Sequence, residues 1–484
     1  MKVPEPMARP RQTARCFPAF FLLILWGAVA GCAAGMADPR NMRFEPVTVT
    51  EPNVETVHLD NGLTVYLLPD SSIPLITVNA IIEIGNIDET PDQVGLAGMT
   101  TGLMRDGGAG ELNTAEFDQV MAHRAIQMSS SAGREYSRAR VNSLTRVFPE
   151  ALARFADMLR RPRFDAARLE DKKANAIDSI RRENESPMGI ARRELNTAIA
   201  GKGHPMARNV TIPDIEKIRR DDVVEFHRRF YTPGNIHMGV TGNFERDAML
   251  QMLTDAFGDW SGGPTSHDPI PPLPPDGPRH VLVAHRDLNQ ASIRMGHLSV
   301  RRDHPDYYAL QLANHIFGGG GFDSRLFKAI RTREGLAYQV GANLFGGHKD
   351  RGMFTMVVKT STDEARRTVE LMLAELERLR NEPISEQELA EAKESISNGI
   401  VFSSVTAEKV MRRYMGNILW DLPENEMTLG LEATLALTVE DVTAAVRRHL
   451  HPDRLIVVAV GDAKVLKPAL ADFGEVSDII LTHH

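Results

Sequence analysis

The chain repeats one of its own segments at a distance of almost half its length. Asp222–Gly242 reads DVVEFHRRFYTPGNIHMGVTG and Asp441–Gly461 reads DVTAAVRRHLHPDRLIVVAVG, an ungapped offset of 219 positions. The Asp, Val, Arg-Arg, Pro and Gly positions coincide, and both copies run from a helical pattern into a β-rich one. A period this long excludes a solenoid and predicts two tandem domains of one fold.

A proline-rich stretch, 268–278, separates the two copies. DPIPPLPPDGP contains six prolines in eleven residues, a composition typical of a semi-extended spacer. We therefore predict an N-terminal domain over 55–267, this linker, and a C-terminal domain over 279–484. A proline-rich ligand for another protein is the alternative, and the position between the copies favours the linker.

Each half mixes strand and helix patterns. Apolar residues alternate around Asn61-Gly62 in VHLDNGLTVYLL, which predicts a hairpin with a two-residue turn. A strand through 76–84 follows, and Asn113 with Glu116 three residues later predicts a capped helix start. This mixture predicts an α+β fold, in which helices pack on one face of a largely antiparallel sheet. Further helices are predicted over 147–160, 165–185 and in the region 362–415.

The first 31 residues have the pattern of an export signal. Four basic residues and one acidic residue precede an apolar run, 20–30, that is too short to span a bilayer. Val29-Ala30-Gly31-Cys32 resembles the bacterial lipobox, in which the cysteine is acylated after cleavage, and an ordinary cleaved signal is the alternative. We expect 1–31 to be the signal and 32–54 a tether that starts at lipidated Cys32. The body would then face the periplasm, with the outer membrane as the expected location.

Charge and cysteine content exclude other classes of protein. The chain has a net charge of −8, and loss of 1–31, which carries +3, leaves −11, so nothing indicates a nucleic-acid partner. The two cysteines are Cys16 and Cys32. Cys16 would leave with the signal and Cys32 would be acylated. The mature chain therefore offers no disulfide and no thiolate metal site.

The segment GLAGMTTGLMRDGG, 95–108, poses the question of function. Its apolar residues recur at helical spacing, yet Gly98 and Gly102 lie four apart on one helix face. An interior glycine costs about 1 kcal/mol relative to alanine. Close packing against another backbone is one interpretation. The other is that functional side chains have been lost from this face.

The hairpin and this segment resemble the insulinase/pitrilysin family of zinc metallopeptidases, in particular its half-length members. There the hairpin is followed by Gly-Leu-Ala-His-x-x-Glu-His, whose histidines bind zinc and whose glutamate activates the metal-bound water. This chain keeps the Gly-Leu-Ala, but the histidine positions hold Gly98 and Gly102, and the glutamate position holds Thr101. The resemblance therefore implies that the metal site is degenerate.

The third zinc ligand of the family is a glutamate about 75 residues further on. In this chain KKANAIDSIRRENESP, 172–187, resembles that helix, and the ligand position falls on Ser179 or Ile180. No His-x-x-Glu-His or His-x-x-x-His occurs elsewhere. We therefore expect no metal in this chain and disfavour an active protease built on other ligands.

The resemblance covers nearly all of 55–475. NQASIRMGH, 289–297, and the segment 304–340 resemble the family's C-terminal domain. The resemblance implies roles for Arg331 and Tyr338, which in the family reach toward the substrate carbonyl at the zinc. Without it, they would be interpreted as a solvated helix arginine and a half-buried strand tyrosine.

Other candidates carry weaker signals. The glycine run Gly318, Gly319, Gly320 and Gly321 is either a mobile substrate loop or a flexible helix connection. The segment that begins at Gln290 is a candidate edge strand for peptide binding. His204 is interpreted as structural, and the terminal His483-His484 pair is too short for a metal site.

The resemblance implies a role in a pair of half-length chains that enclose a chamber. The partner would carry zinc, and this chain would supply its arginine and tyrosine to the partner's site. The substrates would be peptides or unfolded segments. A scaffold or binding protein without proteolysis is the alternative, and a zinc-bearing sister gene beside this one would favour the peptidase pair.

Overall fold

The computed structural model describes residues 51 and 53–481, which form two sheets of six strands and fifteen α-helices. The predictions on the signal, Cys32, His483-His484 and most of the tether concern positions outside these residues. Among the described helices, none combines the length and the apolar character that a membrane span requires.

The first half of the chain forms a sheet with the strand order β1-β2-β6-β3-β5-β4. Its strands are β1 (Glu55–His58), β2 (Thr64–Pro69), β3 (Leu75–Ile82), β4 (Gln127–Ala132), β5 (Ser137–Leu144) and β6 (Ile236–Gly242). β2 and β6 are parallel, and the other neighbours are antiparallel. The last strand of this half therefore lies in the centre of the sheet.

The second half repeats this arrangement in the order β12-β7-β11-β8-β10-β9. Its strands are β7 (His280–His285), β8 (Gln290–Leu298), β9 (Ala337–Phe345), β10 (Met353–Ser361), β11 (Ile456–Gly461) and β12 (Glu475–Ile479). Without the outermost strands β1 and β12, β2 to β6 and β7 to β11 occupy the same places in the same order. This confirms the prediction of two tandem α+β domains of one fold.

Helices cover both sheets. Those of the first half are α1 (Leu96–Asp106), α2 (Thr114–Arg124), α3 (Phe148–Arg160), α4 (Ala166–Arg182), α5 (Pro187–Ala200), α6 (Ile212–Lys217), α7 (Arg220–Phe230) and α8 (Arg246–Phe257). Those of the second half are α9 (Tyr307–Asn314), α10 (Ala365–Asn381), α11 (Glu386–Ser403), α12 (Ala407–Leu419), α13 (Glu426–Ala436), α14 (Val439–His449) and α15 (Ala463–Leu470). Two π-helical segments, His315–Gly319 and Phe327–Arg333, come after α9.

Each half provides one helix to the sheet of the other half. α5 packs on the second sheet, where Leu195 shares a buried apolar cluster with Leu298. α12 packs on the first sheet, where Met411 joins Tyr66 and Ile81. The other face of each sheet is covered by helices of its own half. Helices therefore cover both faces of each sheet, one face more than the sequence predicts.

A glycine and an ion pair fix the position of α12. A Cβ on Gly239 of β6 would lie 2.6 Å from Cγ of Met411 and 2.4 Å from Sδ of Met415, so the glycine allows the helix to approach closely. Arg140 of β5 donates hydrogen bonds of 3.1 and 3.0 Å to the two carboxylate oxygens of Glu408. This contact joins the two halves by packing and by charge.

The predicted hairpin of β1 and β2 is confirmed, but its turn differs. Three residues lie between Leu59 and Leu63, whose backbones are hydrogen-bonded at 2.9 Å. Gly62 has a φ of 92°, and Asn61 is not among the residues with positive φ. A two-residue type I′ turn needs positive φ at both central positions. The loop is therefore one residue longer than predicted.

The prediction that 290–297 is an edge strand is wrong. β8 pairs with β11 on one side and with β10 on the other, and most of its residues are buried. The residues of a strand do not determine which later segment pairs with it, and β11 begins only at Ile456. The free edges of the described sheets are β1 and β4, and β12 and β9. Gln290 is exposed at the start of β8. Its role in binding stays a prediction, which the central position of β8 in the sheet does not support.

Replacement of Gly239 by valine should destabilise the protein. The new side chain would occupy the space of Met411 and Met415, and such overpacking costs about 1–3 kcal/mol. Gly399→Ala in α11 is the control, because a Cβ there meets no atom within 4 Å. That substitution should stabilise by roughly 0.5–1 kcal/mol. Urea unfolding measures both, and an unchanged midpoint for Gly239→Val would contradict the contact of α12 with β6.

Candidate functional site

α1 presents its two interior glycines on a face with few protein neighbours. Leu103 and Met104 of the same helix are fully buried in the apolar core of the first half. Among the described residues, a Cβ on Gly98 would have no neighbour within 4 Å outside its own helix backbone, and one on Gly102 would lie 2.9 Å from Nζ of Lys172. Close packing against the backbone of another element therefore does not explain the glycines.

Thr101 is the residue that the resemblance aligns with the catalytic glutamate. Its side chain is buried, and its hydroxyl lies 3.0 Å from the carbonyl oxygens of both Ala97 and Gly98. The hydroxyl donates within its own helix and is not a base for water activation. The carbonyl of Thr101 accepts a hydrogen bond of 2.6 Å from the Ser130 hydroxyl. This bond ties α1 to the edge strand β4.

Lys172 of α4 fills the space beside Gly102. Its Nζ lies 2.6 Å from a carboxylate oxygen of Asp106, the last residue of α1. Ser179 lies seven positions, or two helical turns, further along α4, on the side of Lys172, and it is exposed. Ile180 is buried in the apolar core of the first half. Of the two residues predicted for the third-ligand position, Ser179 is exposed and Ile180 is buried, so Ser179 is the one that could face a metal.

The residues on this face do not fit a catalytic zinc ion. Such an ion needs three protein ligands and one open position. The two glycines provide no ligand atom, and the Thr101 hydroxyl is engaged in its own helix. The Lys172 ammonium has no lone pair and repels a cation. No metal-dependent step can be derived for this chain alone.

Glu89 holds the start of α1. Its carboxylate accepts hydrogen bonds from the backbone N–H of Ala97 at 2.8 Å and of Gly95 at 3.1 Å. Burial raises the pKa of Glu89 to about 7, although both hydrogen bonds favour the charged form. The first turn of α1 is therefore satisfied by a carboxylate of this chain.

Arg331 and Tyr338 contact each other in the second half. Arg331 lies in the second π-helical segment, and Tyr338 lies in the edge strand β9. The Arg331 guanidinium donates to the backbone oxygen of Tyr338 at 3.3 Å, and its Cζ lies 4.4 Å from the Tyr338 ring centroid. The Tyr338 side chain is 83% exposed, so it is not a half-buried strand tyrosine.

Two phenylalanines complete the surroundings of Arg331, and the sequence pattern singled out neither. The Phe327 and Phe322 centroids lie 4.7 and 5.7 Å from the Arg331 Cζ. The Phe322 side chain is 72% exposed. The sequence does contain a signal for Phe322, because this aromatic residue directly follows the glycine run. Three rings therefore restrict the positions of the guanidinium.

The four-glycine run begins inside a helix. Gly318 belongs to the first π-helical segment, and a Cβ on it would lie 2.6 Å from the backbone nitrogen of Ala342. Gly321 has a φ of 67° and no neighbour within 4 Å of a Cβ. The mobile-loop interpretation is therefore wrong for the start of the run, because close packing against β9 requires glycine there. A role of the run in binding stays a prediction.

His204 joins the two halves. It is 3% exposed, and its Nε2 lies 2.9 Å from a carboxylate oxygen of Asp350, while its Nδ1 accepts the N–H of Met206. Burial lowers the pKa of His204, and Asp350 opposes this shift. These contacts agree with the structural interpretation of the residue.

His304, Asp306 and His449 also bring metal-ligating atoms within 4.8 Å of one another. However, the Asp306 carboxylate already accepts two hydrogen bonds from Arg448, at 2.9 and 3.0 Å. His304 Nδ1 accepts the backbone N–H of Asp306, so the neutral ring carries its proton on Nε2. The group is therefore a hydrogen-bonded ion cluster that fits a metal poorly.

Family models match most of the described chain. Residues 65–214 match the insulinase (peptidase family M16) model, and residues 217–396 match the model of the peptidase M16 inactive domain. The uncharacterized zinc protease YmxG of Bacillus subtilis is 23% identical over 389 residues, which are 79% of this chain and 90% of that protein. The non-peptidase homolog YmxG of Helicobacter pylori is 22% identical over 77% of this chain and 86% of its own.

Solved structures share the fold. A peptidase M16 inactive domain from Pseudomonas fluorescens superposes with a TM-score of 0.77 and 24% identity, over 85% of this chain and 98% of that chain. The periplasmic protease PqqL of Escherichia coli gives a TM-score of 0.73 with 16% identity, over 88% of this chain and 47% of its own longer chain. The fold and the altered zinc helix thus define a two-domain, peptidase-like protein. The chain belongs to the insulinase family, peptidase family M16, as a half-length member.

We expect the purified protein to contain no stoichiometric zinc, because the face of α1 offers no metal ligand. Elemental analysis after dialysis tests this, and one zinc per chain would overturn it. Rebuilding the motif provides a positive control. The variant Gly98→His, Thr101→Glu, Gly102→His, Ser179→Glu should bind zinc.

Addition of Lys172→Met to this rebuilt variant should tighten zinc binding, because it removes an ammonium group beside Gly102. A zinc titration of both variants measures the difference. Equal affinities would mean that Lys172 has no influence at the position of the metal.

Proposed function

We propose that this chain is a non-catalytic subunit of a heteromeric zinc peptidase, which binds peptide and supplies Arg331 and Tyr338 to the site of a zinc-bearing partner. One observation carries the proposal. The glycines on the described face of α1 provide no metal ligand, whereas the second half places an arginine against the ring of an exposed tyrosine. In a site shared by two chains, one chain supplies the metal and the base. The other chain supplies further hydrogen-bond donors to the substrate.

The pair is chemically suited to stabilise negative charge on a substrate carbonyl. The guanidinium is always charged and has five N–H donors, of which one is used by the backbone of Tyr338. The phenol hydroxyl of Tyr338 is a further donor on an 83% exposed side chain. Donors fixed before the reaction stabilise charge that develops in the transition state. The rings around Arg331 provide this fixation.

Peptide binding is supported by the edge strand β4. It pairs with β5 on one side, and the hydrogen bond from Ser130 holds it beside α1. Gln127, Ser129 and Ser131 of this strand are exposed. A free edge offers backbone groups to an extended segment, and polar side chains leave the choice of sequence wide. We infer that peptides or unfolded segments add to this edge.

A location at the periplasmic face of a bacterial membrane is part of the proposal. PqqL, which shares the fold, is described as a periplasmic protease. The sequence before the described residues contains the lipobox-like Val29-Ala30-Gly31-Cys32. An acylated Cys32 with two or more chains would hold the body stably at the membrane.

A binding or scaffold role without proteolysis is the second candidate. The observation that favours it is the relative from Helicobacter pylori, whose name describes it as a non-peptidase homolog. The exposed Arg331–Tyr338 pair favours the peptidase subunit, since a scaffold has no need of these donors. The two candidates differ in what loss of this pair does to peptide cleavage.

Arg331→Ala or Tyr338→Phe should lower kcat of the reconstituted pair by a factor of about 10²–10³, the usual effect of removing one oxyanion donor. KM should change less, because these groups act on charge that develops in the transition state. Steady-state cleavage of a quenched fluorescent peptide measures both constants, and this chain alone should show no cleavage.

Arg229→Ala is the matched control for this experiment, because Arg229 also stacks on an aromatic ring, with its Cζ 4.7 Å from the Phe230 centroid. It should leave kcat unchanged. Full activity with both Arg331 and Tyr338 replaced, in a pair that still assembles, would remove this chain from the active site. The scaffold role would then be the function that remains.

Cys32→Ser should release the protein from membranes and abolish incorporation of labelled fatty acid, because the acceptor thiol is lost. Cys16→Ser is the control, since that residue lies in the proposed signal and should not affect anchoring. Membrane fractionation and lipid labelling provide the measurements. A Cys32→Ser protein that stays with the membranes as fully as the parent would refute the lipid anchor.

A further inference from the structure

Exposed apolar side chains gather where α11 ends and α12 begins. Val401, Phe402 and Val405 are 48%, 69% and 62% exposed, and we name these three residues the 401–405 patch. Leu429 and Leu435 of α13 are also exposed. Ser404, within the patch segment, lies 3.4 Å from Sδ of Met427, which places α13 beside it. Large exposed apolar patches mark contact sites, and the 401–405 patch is a candidate for one.

The described chain begins next to this patch. Glu51 lies 3.3 Å from Nη2 of Arg413 through one carboxylate oxygen, and its other oxygen accepts the backbone N–H of Thr428 at 3.1 Å. Arg413 in turn donates to the Ser404 hydroxyl at 2.9 Å. The Arg413 and Ser404 side chains thus connect the first described residue to the patch segment. The point at which the described chain begins therefore lies at this surface.

We propose that the 401–405 patch lies against the lipid bilayer to which the N-terminus is anchored. This inference rests on the proposed lipid anchor at Cys32. From Cys32 to Glu51 the chain advances nineteen positions. Such a segment spans at most about 65 Å. An anchor at Cys32 would therefore keep Glu51, and the patch beside it, within reach of the membrane.

The chemistry around the patch suits a lipid surface. Phe402 and two valines provide the apolar side chains, and the Lys409 ammonium donates to the Phe402 carbonyl at 3.1 Å. Arg412, one turn further along α12, is also exposed. Apolar side chains flanked by cations are the pattern by which proteins contact the boundary between anionic headgroups and acyl chains.

Fluorescent labelling of single cysteines tests the proposal, because an acylated Cys32 leaves no free thiol in the mature chain. Phe402→Cys is labelled with an environment-sensitive dye, and the membrane-extracted protein is reconstituted on vesicles of phosphatidylethanolamine and phosphatidylglycerol. Phe322→Cys is the matched control, since Phe322 is 72% exposed and Phe402 is 69% exposed. The dye at 402 should shift to the blue and be quenched by spin-labelled lipid, and the dye at 322 should do neither.

The outcomes separate the two proposals. Protein that floats with the vesicles but shows no blue shift at 402 overturns the bilayer contact and leaves the anchor intact. Protein that does not float overturns the anchor and the bilayer contact together. A shift at 402 that appears only with a partner subunit, without quenching by lipid, assigns the patch to a protein interface and also overturns the proposal.

Discussion

The exchange of helices between the two halves is the contact on which the rest of the molecule depends. Each sheet is covered on one face by its own helices and on the other by α5 or α12 from the opposite half. Neither sheet would keep both apolar faces out of water if the halves were separated. The linker is therefore not a hinge between independent domains. The edge strands β4 and β9, one from each sheet, therefore belong to a single packed structural unit.

The sequence predicts the individual helices and strands of this structure better than it predicts which of them pack together. The capped start at Asn113 and Glu116 is present, because a capping box uses only groups three residues apart. The duplication correctly predicts that the two halves share one fold. The central position of β8 could not be predicted, because β11 and β10 reach it from distant parts of the chain. For the same reason, local sequence patterns do not predict that α5 and α12 each pack on the sheet of the opposite half.

The candidate site shows the same limit. The replacement of two histidines by Gly98 and Gly102, and of the glutamate base by Thr101, is predicted from the motif alone, because each is a residue type at a fixed spacing. The position of Lys172 could not be predicted, since it depends on how α4 packs against α1. Likewise, the spacing of Arg331 and Tyr338 does not predict their stacking, which depends on a π-helical segment that meets an edge strand.

Glu89 has a consequence for how the chain reaches its native state. Where zinc ligands converge on a helix, the metal can complete folding, and metal supply then influences how much protein matures. In this chain the first turn of α1 is held by the Glu89 carboxylate, and its middle is tied to β4 through Ser130. Both contacts are made by the polypeptide itself. These hydrogen bonds hold the start and the middle of α1 with groups of the chain alone.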